Sequence, residues 1–204
     1  MNLDGITLHG ITNELKDILQ GGQISKIYQL DGRSLYFRIF NETGIHHLIM
    51  TLDDSPRLYI AKTMPPTPDI PTGLCMFLRK YYENGRIASI QQLHLDRLIE
   101  ITVDVLDISG RLATRKIHVE LMGKYSNVIF TENGTIIEAL IKTRKDKQAL
   151  RTIAPKEPYD FPPNFMRMDP FAFSAEELTD MMQTGTDEPL GKWMLKRFNG
   201  MSTI

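Results

Sequence analysis

Several features are scarce in this 204-residue chain. It has one cysteine, Cys75. A single thiol cannot close an internal disulfide or build a metal site alone, which suits a reducing, cytoplasmic setting. No apolar run approaches the ~20 residues that span a bilayer, so no membrane partner is expected. The start, Met1-Asn2-Leu3-Asp4-Gly5, lacks the basic and apolar stretches of a signal peptide. Neither sign of charge dominates: 24 Lys and Arg face 25 Asp and Glu, for a net charge of −1. The whole chain is therefore no polyelectrolyte binder. Any nucleic-acid role must gather its cations on one face.

Catalytic signatures are missing as well. His9, His46, His47, His94 and His118 have no zinc-ligand spacing with one another or with Cys75. They read as surface or edge histidines. There is no phosphate loop, no dinucleotide glycine signature and no Gly-x-Ser-x-Gly elbow. Asp53-Asp54 reads as a solvated turn pair. Cys75 lies in the apolar stretch Leu74-Cys75-Met76-Phe77 and reads as a buried structural thiol. These absences favour a binding module over an enzyme, with no cofactor and no metal.

What is present is an ordered run of elements. Ile11, Leu15, Ile18 and Leu19 recur at helical spacing before Gly21-Gly22, predicting a helix over Thr7–Gln20. Leu35, Phe37 and Ile39 alternate with Tyr36 and Arg38, a half-buried strand that Asp31-Gly32 joins to Gln23–Gln29. His46–Leu52 and Arg57–Ala61 are further strands. Met64-Pro65-Pro66-Thr67-Pro68 reads as an extended linker. Leu74, Phe77, Leu78 and Tyr81 then mark a helix over Gly73–Glu83. Strands follow at Ile87–Leu93, Leu98–Leu106, Arg115–Met122, Asn127–Thr131 and Thr135–Lys142, the last pair turned by Asn133-Gly134. Prolines 155, 158, 162 and 163 punctuate a loop. Ser174-Ala175-Glu176-Glu177 has capping-box spacing and opens a helix to about Gln183. A last helix starts near Pro189. This order predicts an α+β fold whose core is an antiparallel β-sandwich or open barrel, with flanking helices and a helical start at the C-terminal end.

Two stretches carry candidate binding chemistry. Leu95-Asp96-Arg97-Leu98 lies between two strands. Its acid and base can form a structural turn with an ion pair to neighbours. Alternatively, the guanidinium can fork onto a phosphate while the carboxylate takes a base or ribose donor. Lys142, Arg144, Lys145, Lys147 and Arg151 stand against one acid, Asp146. Such a run is either a solvated face or a phosphate footprint. Arg79, Lys80 and Lys124 would enlarge the footprint if they shared its face. Tyr81, Tyr82 and Tyr125 can stack on bases or fill the core.

Five stretches, in this order, resemble the N-terminal domain of the NFACT family. They are Leu3-Asp4-Gly5 with Asn13-Glu14-Leu15, Gly21 through Gln29, Pro71 through Gly85, Leu95-Asp96-Arg97, and Glu120-Leu121-Met122-Gly123-Lys124-Tyr125-Ser126-Asn127. The resemblance implies an N-terminal domain over residues 1–168 and the start of a middle helical region over 169–204. A coiled coil and a C-terminal RNA-binding domain would lie beyond. It also implies a fold like that of formamidopyrimidine-DNA glycosylases. Asn2-Leu3 stands where their proline nucleophile and glutamate would be, so their activity is not expected. Bacterial members of the family bind a large ribosomal subunit blocked by peptidyl-tRNA. They recruit tRNA, mainly alanyl-tRNA, and extend the stalled chain without a template. The ribosome makes the peptide bond. The family's Asp-Arg motif for tRNA falls on Asp96 and Arg97. Tyr81 and Tyr125 depart from the histidines common there. The family's older label implies fibronectin as an alternative partner, which the start of the sequence does not favour.

Overall fold

The computed structural model describes residues 3–107, 109–143, 151–162, 167–183 and 188–201. Helix α1 (Gly5–Leu19) comes first. The Asp4 carboxylate caps it by accepting the Thr7 amide at 2.7 Å. Its buried stripe is Leu8, Thr12, Leu15 and Leu19. Strands β1 (Gln23–Asp31), β2 (Ser34–Asn41), β3 (Gly44–Thr51) and β4 (Arg57–Ala61) form an antiparallel meander. Helix α2 (Gly73–Tyr82) follows, capped by Thr72, whose hydroxyl accepts the Cys75 amide. Asn84, at φ 66°, turns the chain out of it.

A second meander holds β5 (Arg86–Gln92), β6 (Leu98–Leu106), β7 (Leu112–Glu120), β8 (Asn127–Glu132) and β9 (Thr135–Ala139). A 3-10 turn, Gly123–Tyr125, joins β7 to β8. Asn133 and Gly134 both have positive φ, as the predicted two-residue hairpin requires. Helices α3 (Ala175–Gln183) and α4 (Leu190–Arg197) close the order. Ser174 and Glu177 form the expected capping box.

All nine strands belong to one sheet, ordered β4-β3-β2-β1-β5-β6-β7-β8-β9 and open at both ends. The α+β, antiparallel expectation thus takes the form of a single open sheet. Its two meanders meet over a short step, where Gln23 pairs with Arg86 and flanking backbone bonds join Ile24 to Gly85 and Asn84, and Ile87 to Gly21 and Gly22. Past that step α2 takes over the free edge of β1. Ile27 donates its amide to Glu83 Oε1 at 3.1 Å, and its carbonyl accepts Arg79 Nε at 2.9 Å and Cys75 Sγ at 3.4 Å. One hydrophobic cluster joins both meanders, from Leu48, Met50 and Leu58 to Val119, Val128 and Phe130. Cys75 is buried, as its apolar neighbours predict.

Along β6 and β7 the other face is polar. Glu100, Lys116, His118 and Glu120 alternate with core residues. That face is covered by residues 151–161, which are tied to β9 by the Ile136–Glu157 and Tyr159–Gly134 backbone bonds. Ile153 and Tyr159 pack on Ile129 and Ile136 there. Among the described residues, no helix is long and apolar enough to cross a membrane.

Candidate nucleic-acid interface

Asp96 and Arg97 lie on the connection from β5 to β6. His94 and Leu95 take φ 53° and 52°, so the chain makes a left-handed corner just before them. The corner is closed by Asp96 N–H to Leu93 O at 2.9 Å and Leu93 N–H to Leu98 O at 3.0 Å. The Gln92 side-chain amide donates to Asp96 O at 2.8 Å. Leu121 N–H donates to Arg97 O at 2.8 Å, which brings the β7–β8 connection alongside. Lys124 and Tyr125 are exposed on that connection, with Lys124 Nζ 4.9 Å from the Tyr125 ring centre.

Neither side chain joins an ion pair among the described residues. The Asp96 carboxylate accepts the Arg97 amide at 2.7 Å. The Arg97 guanidinium forms no hydrogen bond or ion pair among the described residues, and Asp96 joins no ion pair. Among the described residues, the ion pair to neighbours that the sequence allows does not form. A planar donor fork and an acceptor stand together on a braced, half-exposed corner, a geometry that suits a phosphate beside a ribose or base donor.

The other predicted cations fall in different places. Arg79 is spent on Ile27 O and Glu83, and lies 5.0 Å from the Tyr28 ring centre. Lys80 is exposed on α2, next to Tyr81. Both belong to the α2 edge of β1. Lys142 follows β9, whose end is held to Asn127 at the start of β8, and it pairs with Glu138 at 2.8 Å. Arg144, Lys145 and Lys147 lie outside the described residues. Tyr82 is fully buried against Phe130, and Tyr81 stacks on Phe77, so neither offers a free ring face. Among the described residues no cluster of three potential ligands could hold a metal ion.

Behind the corner lies a polar group that pattern reasoning missed. Glu120 is 0% exposed and opposes Leu98 in the β6–β7 register. It accepts the Tyr159 hydroxyl at 2.8 Å and pairs with Arg151. Burial pushes its carboxyl up, Arg151 pulls it down, and the Asp96 charge adds to the upward push. His118 is buried too, contrary to the surface reading. It bonds Thr131 at 2.9 Å, stacks on Tyr159 at 3.9 Å and lies 3.6 Å from Glu100. Burial holds it at about 4. The alternation in β7 looks like an ordinary solvent face. The aromatic residues Tyr159 and Phe161 were the only hint of a cover.

This sheet and corner define a class. Residues 4–204 match the family described as NFACT N-terminal and middle domains, and the chain belongs to that family. It is 30% identical to the Rqc2 homolog RqcH of Bacillus subtilis (strain 168), an alignment covering 100% of this chain and 36% of the relative. The fold matches the N-terminal domain of fibronectin-binding protein PavA from Streptococcus pneumoniae with a TM-score of 0.91, at 30% identity over 98% of this chain and 76% of that one. It matches the N-terminal part of the fibronectin/fibrinogen-binding protein of Streptococcus suis at 0.92, with 31% identity and the same coverages. The chain thus spans about a third of the curated relative's length.

Proposed function

We propose that this chain is the N-terminal module of a cytoplasmic ribosome quality-control factor. It contacts tRNA, foremost alanyl-tRNA, through Asp96 and Arg97 on an obstructed large ribosomal subunit. The full protein thereby supports template-independent alanine tailing of the stalled nascent chain. The module selects and holds tRNA, and peptide-bond formation stays with the ribosome.

One observation carries this reading. In a member of this family, the Asp-Arg pair stands on a hydrogen-bonded corner with its guanidinium unpaired among the described residues. Similarity to a protein named Rqc2 homolog RqcH supports the ribosomal setting. Lys124 and Tyr125, alongside, supply a second cation and an exposed ring for RNA. In the full-length protein, Asp96→Ala/Arg97→Ala should abolish alanine tails on stalled chains and co-purifying tRNA. Undiminished tailing would remove the site assignment. Fibronectin binding is the second reading, favoured by the names of the two structural neighbours. Saturable fibronectin binding with cell-surface exposure would favour it over the ribosomal one.

A further inference from the structure

The corner is held from behind by two distant parts of the chain. Gly5 N–H donates to Gly200 O at 2.8 Å, and Ile6 N–H reaches the same carbonyl at 3.3 Å. These are opening amides of α1, which lack partners within the helix. Gly5 O in turn accepts Gln92 Nε2 at 2.7 Å, and the same side-chain amide braces Asp96 O. Asn199 Nδ2 donates to His94 O at 3.3 Å.

There is no spare room at this junction. A β-carbon on Gly5 would stand 2.1 Å from Leu95 O and 2.5 Å from Gly200 Cα. One on Gly200, at φ +79°, would stand 2.9 Å from Leu95 Cδ2 and 3.2 Å from Leu95 O. The left-handed backbone at His94 and Leu95 persists only because its surroundings hold it. Gly200 follows Phe198 and Asn199 at the end of α4, and that end is tied to Met168 by Met168 N–H to Arg197 O at 2.7 Å and Asn199 N–H to Met168 O at 2.8 Å. A shift of the α4 end therefore presses on Leu95, one residue before Asp96.

We infer that Gly5 and Gly200 are positioning residues for Asp96 and Arg97, and that the end of α4 governs how the corner is presented to RNA. This rests on the reading of the corner as the tRNA contact. The test uses the full-length protein with Gly200→Ala, the milder Asn199→Ala, and Asp96→Ala/Arg97→Ala in parallel. The readouts are tRNA affinity, thermal midpoint, and amide exchange at Asp96 and Leu121. Gly200→Ala should weaken tRNA about tenfold, because misplacement by a fraction of an ångström is costly at a preorganised site. It should speed exchange at those two amides and leave the midpoint within a few degrees, with Asn199→Ala smaller in the same direction. Wild-type exchange and affinity in both single variants would overturn the coupling. So would fast exchange across the whole sheet with a collapsed midpoint, which marks a purely structural role. Undiminished tRNA affinity in Asp96→Ala/Arg97→Ala would overturn the reading of the corner instead, while local fast exchange in Gly200→Ala would still support the clasp.

Discussion

Glu120 has no exposure, and both its donors, Arg151 and Tyr159, come from the segment that crosses the β7 face. Removing one partner of a buried pair leaves a charge uncompensated in a poorly solvating interior. Arg151→Met should therefore cost about 3–5 kcal/mol in denaturant unfolding, whereas Glu120→Gln/Arg151→Met should recover much of that loss. His118 makes a separate prediction. Its folded pKa of about 4 lies below its ordinary 6.5, so the unfolded chain takes up a proton that the folded one refuses. Its contribution to stability is full above about pH 6.5 and drains as pH falls toward about 4. Glu120 acts in the opposite sense, since its raised pKa makes its contribution fall as pH rises through the folded value. Unfolding of wild type and His118→Gln isolates the histidine. Between about pH 7.5 and about pH 5, wild type should lose roughly 2 kcal/mol relative to the variant.

At the scale of elements, the seam between β1 and β5 is the unusual feature. A seam that ends at the bonds between Ile24 and Asn84 would leave Ile27 with an unmet amide and carbonyl. Helix α2 meets both, through Glu83, Arg79 and Cys75. Glu83→Ala should cost about 1–3 kcal/mol by orphaning the Ile27 amide, measured by the same unfolding, with faster exchange at Ile27. Much of this architecture was legible in sequence. Alternation at Leu35, Phe37 and Ile39, the stripe Leu74-Phe77-Leu78-Tyr81, and the Asn133-Gly134 turn each report a local backbone choice, and the strand, helix and turn form there, although Tyr36 is buried as well and α2 buries Cys75, Leu78 and Tyr82 most deeply. Which face of β7 is covered was not legible, because Lys116, His118 and Glu120 alternate as a solvent face would. The cover depends on a segment more than thirty positions away in the chain (Arg151 to Glu120), and no local period encodes that distance. The candidate site divides in the same way. Asp96-Arg97 could be singled out as a motif, but that its guanidinium finds no partner among the described residues is visible only in three dimensions.

For the whole molecule, the ends of the described chain converge on one place. The start of α1, the β5–β6 corner and Gly200 are in direct contact, and the β7–β8 connection bearing Lys124 lies alongside. The proposed RNA contact is small, as a near-neutral chain without a large basic field requires. Binding through so few cations should show a shallow salt dependence, with log affinity falling against log salt by a slope of only a few units. Titration of the full-length protein with tRNA at several ionic strengths checks this. Sequencing the RNA that the full-length protein retains from cells, in wild type and in Asp96→Ala/Arg97→Ala, tests the tRNA contact at its root. Wild type should retain tRNA together with large-subunit rRNA, and the variant should lose the tRNA while keeping the rRNA. No tRNA enrichment in wild type, or the same enrichment in both proteins, would contradict it.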